Sequence, residues 1–530
     1  MTGISSISAL TLSPSQLVGN LPAGVQPAEA TAAISAPASS VILGQTNVVE
    51  INTYNARGAL PDAAPTPVWE RTPLDRVSFT MGGNLASKSN SARFAGLGAA
   101  LLMQLADTKK DISQTVVQST GLKPLNAAEV AAAQTRLHSS NADSTISLTI
   151  KTASGKTVTL SMANQDSGMA VQAQVEGGDL TDEESAALAK MANGFQTAID
   201  GLTAETPQLK LDALTQFDSK VFSSVDLSTK LKLDDKNVQT LEFQSDGQQR
   251  SVRMSGPSGD LQMSVDLKNQ AIVGNATQQA KAIQSYLKQI DAATARGNAD
   301  RDLMSMFKDA FSTLNSNYAA TRTASTPATV DPLAPSALDR NLLTGLADFS
   351  ASVTQIPQAS NPMRPSERDT FAYNLSQTTR LKGRDPQNRS IEQDQRSDLN
   401  ASYHRALYAG QKLKLTNHAD SQNYLFYRVN DTASSQTNIG YEKGELTQAS
   451  VSQSASQSTQ ISKYVMGHLI EQKTLPVSSS KTQSFLDVLE RALHPDSTDK
   501  TPSGAARLKE ILAGLQDKIL LDSYPTKLNS

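Results

Sequence analysis

The 530-residue sequence predicts an α+β fold with two antiparallel-sheet-plus-helix modules in series. Three observations indicate this class: runs of period-two alternation separated by turn residues, amphipathic helices that follow those runs, and no regular βαβ spacing. A half-polar sheet needs a helix over its apolar face, so strands followed by a helix form a natural folding unit. We expect a disordered leader before the two modules and a polar C-terminal mixed β/α region after them.

The composition predicts folded islands joined by looser segments. Hydrophobic residues make up 38% of the chain and charged residues 19%, against about 25% charged residues in an average globular protein. The net charge is −3, and this balance excludes a general nucleic-acid coat, which needs a broad positive field. We therefore expect protein partners and no nucleic acid.

The chain contains no cysteine. This excludes disulfide scaffolds, thiolate zinc sites, iron–sulfur clusters and cysteine nucleophiles. Two interpretations stay open. The absence is either compositional drift or the mark of a chain that leaves the cytoplasm, where a stray thiol is a liability.

Residues 1–75 are predicted to be a disordered leader rich in Ser, Pro and Ala. The first charged side chain is Glu29 and the first basic one is Arg57, so the segment lacks the positive start of a cleavable signal peptide. The longest apolar run, at 95–103, is far shorter than the ~20 residues of a membrane-spanning helix. We expect no membrane span.

The leader is similar to the uncleaved leaders of substrates of bacterial type III and flagellar export systems. It lacks early acidic residues, carries Ile4 near its start and is rich in serine: Ser5, Ser6, Ser8, Ser13, Ser15, Ser35, Ser39 and Ser40. The resemblance implies export without cleavage, and hence an extracellular or cell-surface location. A plain flexible terminus on a cytoplasmic protein is the alternative.

Residues 76–205 form the first predicted module. A short apolar helix is expected at 92–107, followed by three strands of a meander, TISLTIKT, KTVTLSMA and GMAVQAQV. Thr181 and Glu184 then have the spacing of a capping box at the start of a helix. The apolar stripe of that helix comprises Leu188, Met191, Phe195, Ile199 and Leu202.

Residues 206–320 form the second module, a looser repetition of the first. Four strands are predicted: VDLSTKLKL, VQTLEFQS, RSVRMSG and DLQMSVDLK. A helix follows from about Asn275, and a second amphipathic helix follows the break at Gly297.

Residues 321–337 are a linker by composition, and residues 338–530 form a polar α/β-containing region that ends in helices. The alternating SVSQSASQS at 450–458 is either an edge strand or a low-complexity linker. Helices are expected near 460–473, 481–494 and 503–521. The basic stretch 364–414, with nearby aromatic residues, favours a solvated face above a Tyr-containing sheet over an anionic-polymer site.

No cofactor motif is complete. GLGAAL at 96–101 lacks the third small residue and the preceding strand of a dinucleotide site. Gly155, Lys156 and Thr157 match the last three residues of the P-loop motif, but Ile150 occupies the position of its first glycine. We therefore expect a β-turn with a solvated lysine. Ser285–Lys288, Ser305–Lys308 and Ser478–Lys481 match Ser-x-x-Lys by spacing alone.

The histidines do not form a helical metal motif. They are His138, His404, His418, His468 and His494. His404 and His418 flank a predicted strand turn and could converge. The acidic cluster at Asp182, Glu183 and Glu184 is best explained as negative charge at a helix N-terminus. We therefore assign no catalytic, cofactor-binding or metal-binding residue and no cofactor.

Residues 90–320 resemble a group of uncharacterised bacterial proteins. The similarity is carried by ALAKMANGFQTAIDGL, LTQFDSKVFSSVDL and QQAKAIQSYLKQIDAATARG. It implies a bacterial origin and transfers no functional site. A dehydrogenase label, of the kind attached automatically to such proteins, gains no support because the nucleotide fingerprint is missing.

These observations lead to the expectation of a non-enzymatic, exported or surface-associated bacterial protein that acts through protein interactions. The alternatives are a cytoplasmic scaffold of the same fold, or a hydrolase or oxidoreductase whose site is assembled from distant residues. A deep pocket gathering His404, His418 or several carboxylates would favour an enzyme.

Overall fold

A computed structural model describes residues 67–118, 125–139, 141–318, 332–493 and 504–528. The chain divides into two units, Met1–Asp62 and Ala63–Ser530, and all the described residues belong to the second. Most of the predicted leader therefore lies outside the described residues. Its last part contains a short strand, β1 (Pro67–Trp69), which the leader prediction missed.

The N-terminal third contains the predicted meander and capped helix. Its elements are α1 (Arg76–Asn84), α2 (Asn90–Phe94), α3 (Leu97–Thr108), β2 (Ile112–Gln118), α4 (Ala127–Leu137), β3 (Ser144–Thr152), β4 (Thr157–Gln165), β5 (Gly168–Glu176), α5 (Asp182–Thr203) and α6 (Asp212–Thr215). The capping box of Thr181 and Glu184 is present, and the predicted apolar stripe of α5 is buried. The single helix expected at 92–107 is interrupted at Gly96, whose positive φ separates α2 from α3.

The middle third follows the predicted order of four strands and two helices. Its elements are β6 (Phe222–Lys232), β7 (Val238–Asp246), β8 (Gln249–Gly256), β9 (Gly259–Asp266), α7 (Ala276–Gly297) and α8 (Arg301–Leu314). Asn275 and Asp300 cap the two helices by accepting backbone hydrogen bonds. The alternation therefore predicted these elements well.

The C-terminal part is dominated by long strands. Its elements are α9 (Ala337–Asn341), β10 (Asp348–Gln355), β11 (Thr370–Asp385), β12 (Asn388–Ala406), β13 (Tyr424–Glu442), β14 (Glu445–Val465), β15 (His468–Ser484), α10 (Leu486–Leu493), α11 (Gly504–Ile519) and α12 (Pro525–Leu528). The helix predicted at 460–473 is wrong, because this range forms the β14–β15 hairpin. The helix expected at 481–494 begins only after β15 ends, whereas the helix expected at 503–521 is present as α11.

All of these strands belong to one antiparallel sheet. The strand order is β1-β2-β5-β4-β3-β6-β7-β8-β9-β10-β11-β12-β13-β14-β15. The strands predicted for the two modules follow one another along the chain, but β3 pairs directly with β6, so they belong to one continuous sheet. The architecture is thus α+β as predicted, while the division into two separate sheet modules is not confirmed.

The two faces of this sheet differ sharply in chemistry. One register row, which we call the covered row, runs from β2 to β14 and is buried throughout: Ile112, Ala173, Leu160, Leu148, Leu227, Phe243, Val252, Met263, Ala351, Leu375, Ser397, Ala433 and Ala455. Helices α3, α5, α7 and α8 contribute to the same buried cluster as these strands. The core therefore lies between the helices and one face of the sheet.

Towards the C-terminus the core contains buried polar side chains beside a second apolar cluster, which includes Ile391, Ile439 and Val451. The segment after α11 lies across the covered face of β12–β14 and is bound by side chains: Gln395 to the Ile519 and Leu521 backbone, Ser435 to Ile519, Gln453 to Leu520, Gln457 to Ser523, and Gln289 of α7 to Leu521 and Ser523. Because these bonds satisfy the buried backbone groups, the segment can cover the sheet without a large apolar stripe.

Among the described residues, none of the helices combines the length and the apolar character that crossing a bilayer requires.

Candidate functional site

The histidines are dispersed over the structure. His404 in β12 is buried, whereas His418 and His468 are exposed. The ring of His404 contacts Asp369, Glu367 and aromatic side chains of β13, and His418 is not among these partners. His138 lies at the end of α4, and its Nε2 atom is 2.9 Å from the Thr115 hydroxyl. His494 lies outside the described residues. Among the histidines of the described ranges, His404 is the one that lies within ion-pair distance of carboxylates.

His404 contacts two carboxylates from the segment that precedes β11. Its Nδ1 atom is 2.6 Å from Asp369 Oδ1, and its backbone N–H donates to the same oxygen at 3.0 Å. Its Nε2 atom lies 3.4 Å from Glu367 Oε2, which is within ion-pair distance. The imidazole side chain is 0% exposed. We call His404, Glu367 and Asp369 the histidine cluster.

Neighbouring polar groups orient the two carboxylates. The Tyr424 hydroxyl donates to Glu367 Oε2 at 2.7 Å, and the Ser360 hydroxyl donates to Asp369 Oδ2. The imidazole ring packs against aromatic rings of β13, with its centroid 5.1 Å from that of Tyr424. Each member of the cluster thus has a fixed position.

The electrostatics of the cluster favour a protonated histidine between two ionised carboxylates. Burial by itself lowers the pKa of His404, but Asp369 and Glu367 outweigh burial and raise this pKa above its ordinary value. Burial likewise raises the pKa of each carboxyl group, but hydrogen bonds, from His404 above all, bring both pKa values below their ordinary range. These directions favour an ion triad in which His404 and Glu367 are buried and Asp369 is partly exposed.

This geometry suits a structural ion cluster better than a catalytic one. In a catalytic dyad the second imidazole nitrogen faces a nucleophile, whereas here Nε2 faces the Glu367 carboxylate. A substrate could not reach the ring, because it is fully covered. Within the described ranges, no group of three or more His, Asp or Glu side chains is arranged to hold a metal ion.

The glycine–lysine–threonine motif forms the predicted turn, but the expectation of a solvated lysine is wrong. Lys156 Nζ is 2.8 Å from Glu184 Oε2, and both side chains are largely buried. Burial raises the pKa of Glu184, but hydrogen bonds from Lys156, Ser154 and Thr181 outweigh burial and lower it to about 2. The motif therefore ties the β3–β4 turn to the start of α5.

The other motifs also have structural positions. GLGAAL begins α3 and is preceded by α2 instead of a strand. The first two Ser-x-x-Lys pairs lie within α7 and α8, and the third lies in β15. Lys308 pairs with Asp291 at 2.7 Å.

Several basic and aromatic residues of the C-terminal region contact one another or carboxylates. Tyr403 and Tyr427 stack with ring centroids 5.0 Å apart. Arg380 Nη1 lies 2.7 Å from Asp394 Oδ2, and the Arg364 guanidinium lies 4.5 Å from the centre of the Tyr464 ring. The absence of nucleic-acid binding stays a prediction.

The face of the sheet opposite the covered row, which we call the open face, is polar from β2 to β15. One register row contains Ser113, Gln172, Ser161, Ser147, Ser228, Glu242, Arg253, Gln262, Ser352, Asn374, Asp398, Thr432, Ser456 and Ser478. Every member is exposed or half-buried. The alternating serines at 450–458 lie on this face, and their strand is second from the edge.

The open face contains shallow depressions. One is lined by Asp226, Glu242 and Arg253, and another by Arg380, Asp394 and Ser454 among other polar side chains. Covering elements lie near two ends of this face: α4 packs on β2 and β5, and residues 357–369 cover the histidine cluster. Between them the face is a broad polar surface.

Sequence reasoning missed the partners of His404. Glu367 and Asp369 alternate just before β11, and His404 lies near the end of β12. The β11–β12 register, which pairs Thr370 with Ser402, brings them together. A correct prediction of this hairpin would have revealed the cluster. No family model, no curated protein and no solved structure matches this chain.

Proposed function

We propose that this chain is a non-enzymatic bacterial protein, exported or surface-associated, that acts through protein contacts made by the open face of its sheet. One contrast carries the proposal. Among the described residues, the open face is polar and exposed or half-buried along its central row, while the His404 imidazole, the best candidate for catalysis, is 0% exposed.

The chemistry of the open face supports contact with a large partner. Pockets for small molecules enclose most of the ligand surface, whereas this face is broad and its depressions are shallow. Hydroxyl, amide and charged groups at regular strand spacing can supply the direct hydrogen bonds that non-obligate protein interfaces contain. The missing cysteines and the Ser-rich leader support a site of action outside the cytoplasm.

Cell fractionation tests the location. The full-length chain and a variant lacking residues 2–50 are expressed in the source cells, and intact masses are measured in each fraction. Uncleaved full-length protein outside the cytoplasm, with loss of export on deletion, supports the proposal. Confinement of both proteins to the cytoplasm contradicts export and favours an intracellular scaffold.

Site-specific photocrosslinking tests the interaction surface. A photoreactive amino acid is placed at Ser456 or Glu242 on the open face, and at Lys190, an exposed position on α5, as the matched control. We expect discrete protein adducts from the two open-face positions and none from Lys190. Equal labelling from all three positions, or adducts from Lys190 alone, contradicts the assignment of the open face.

A further inference from the structure

Residues 357–369 form a covering segment that is held to the sheet mainly by polar contacts. Asn361 Nδ2 donates to the Tyr424 hydroxyl at 3.0 Å, and an Arg364 guanidinium N–H donates to the Gly467 carbonyl at 2.8 Å. The apolar side chain of Met363 is 47% exposed. Since the segment contributes little apolar surface to the core, its closed position depends on its ionic and hydrogen-bonding contacts.

The covering segment hides an aromatic patch at one end of the open face. The patch comprises Tyr424, Phe426 and Tyr464, all of which are buried. Tyr424 and Tyr464 stack with centroids 4.7 Å apart, and the His404 ring lies 4.7 Å from Phe426. Leu413 and Leu415, from the chain before β13, also pack against this patch, so displacement of the covering segment would expose part of its aromatic surface.

The charged and titratable groups that face His404 come from each element packed around it. The covering segment contributes Glu367 and Asp369, and its Arg364 lies over Tyr464. Strand β13 contributes Tyr424, with Arg428 lying over Phe426 at 5.2 Å, and β14 contributes Tyr464. The two carboxylates are the groups in direct contact with the imidazole.

We propose that His404 is a pH-dependent latch for residues 357–369. The protonated imidazole binds both carboxylates and keeps the segment closed over the aromatic patch. A neutral imidazole can still donate one N–H to Asp369, but its other nitrogen then presents a lone pair to Glu367. Loss of the proton therefore leaves a buried carboxylate without its counter-charge, and the segment opens.

The direction of the pH dependence follows from linkage. The pKa of His404 is raised in the closed state, so the latch has its full strength below about pH 6.5, the ordinary histidine value, and weakens as pH rises through the closed-state value. Between these two values the opening constant rises up to about tenfold per pH unit. The carboxyl pKa values are lowered, so acid opens the segment only below the ordinary carboxyl range.

Hydrogen–deuterium exchange of the full chain, measured by mass spectrometry from pH 5 to pH 10 and corrected for intrinsic exchange rates, tests the latch. We expect protection of residues 357–369 to fall as pH rises above 6.5, by up to about tenfold per pH unit, while β7 keeps its protection. In His404→Gln, the segment should be open throughout and insensitive to pH over this range. His418→Gln, which changes an exposed histidine, should behave like the unsubstituted protein.

Two results would overturn the proposal. One is a His404→Gln variant that keeps the original pH profile, and the other is a closed segment at a pH where His404 is neutral. NMR of the selectively histidine-labelled protein gives the titration midpoint of His404. If His404→Gln fails to fold, the unsubstituted protein decides. Protection that falls as pH approaches the imidazole midpoint and levels off above it supports the latch, and protection that does not change across this range refutes it.

Discussion

Replacing Gln395 by alanine should detach the C-terminal segment from the sheet. Gln395 is fully buried in β12, where its Nε2 donates to the Ile519 carbonyl at 2.7 Å. Its Oε1 accepts the Leu521 N–H at 3.0 Å and the Tyr286 hydroxyl at 3.1 Å. The substitution removes all three bonds at once, in a place that water does not reach.

The expected cost follows from what each partner retains. The Ile519 carbonyl keeps the Ser435 hydroxyl as a donor, and the Tyr286 hydroxyl keeps a 3.2 Å bond to Gln377. The loss of each of these two bonds therefore costs about 0.5–1.5 kcal/mol. The loss of the third bond costs about 1–3 kcal/mol, because it leaves the buried Leu521 N–H without this acceptor. The Tyr286 bond joins α7 to β12, so the substitution removes it whether the segment is open or closed, and it does not enter the opening constant. The losses at Ile519 and Leu521 together come to about 3 kcal/mol, which corresponds to roughly a hundredfold rise in the opening constant of the segment.

Two measurements separate local opening from global unfolding. Hydrogen exchange of residues 519–524 should accelerate by about a hundredfold, and urea unfolding reports any loss of overall stability. Gln262→Ala, on the exposed open face, is the matched control and should change neither quantity appreciably. An exchange rate at 519–524 within threefold of the original would refute the reasoning that buried amides hold this segment.

Three further substitutions test other features. Pro476 lies in edge strand β15 and has no backbone N–H, so it hinders pairing of this edge with a second copy of the chain. Pro476→Thr should therefore increase the average mass measured by concentration-dependent light scattering, and an unchanged mass would contradict this role of Pro476. The pKa of Glu184 is lowered to about 2, so its contribution to stability is present above about pH 4.5 and is lost as pH falls towards 2. The thermal stability of Glu184→Gln should not show this fall between about pH 4.5 and pH 2. A pH profile of the variant that runs parallel to that of the original protein would contradict the role of Glu184. A Cβ atom at Gly259 would lie 2.2 Å from the Thr354 carbonyl, whereas Gly178 has open space at a similar positive φ. Gly259→Ala should therefore lower the free energy of unfolding by about 2 kcal/mol more than Gly178→Ala in urea titrations, and equal losses would refute the steric argument.

The sequence predicted strands well where their buried residues are apolar. In β3 and β6, Leu148 and Leu227 point to the core between polar neighbours, and this alternation is visible in the sequence. The start of α5 was also predictable, because its capping box depends only on residues three positions apart. Local signals thus identified most of the fold up to α8.

The C-terminal strands were harder to predict because their buried positions are polar. In β12 the buried residues include Gln393, Gln395 and Ser397. Because these side chains are as polar as their exposed neighbours, the sequence of this stretch does not show the apolar–polar alternation of a strand and resembles that of a loop. The hairpin turn at Met466 and Gly467 was missed for another reason. Both residues adopt positive φ, which is typical of glycine and asparagine but uncommon for methionine.

The histidine cluster could not be predicted without the strand register. Glu367 and Asp369 are separated from His404 by more than thirty residues, including most of two long strands. Because a shift of one residue in register would move His404 to the other face, the cluster depends on correct pairing of the whole hairpin. No spacing rule in the sequence contains this information.

From β6 to β15 the strands lie side by side in the order in which they occur along the chain. Each strand therefore pairs with one that has already been made, and no strand must wait for a later one before its first neighbour is available. A chain emerging from the ribosome could lengthen this sheet one strand at a time, with every intermediate exposing a single new edge. The same order means that a hairpin gained or lost at the C-terminal end during evolution would change the width of the sheet without requiring the earlier strands to find new partners.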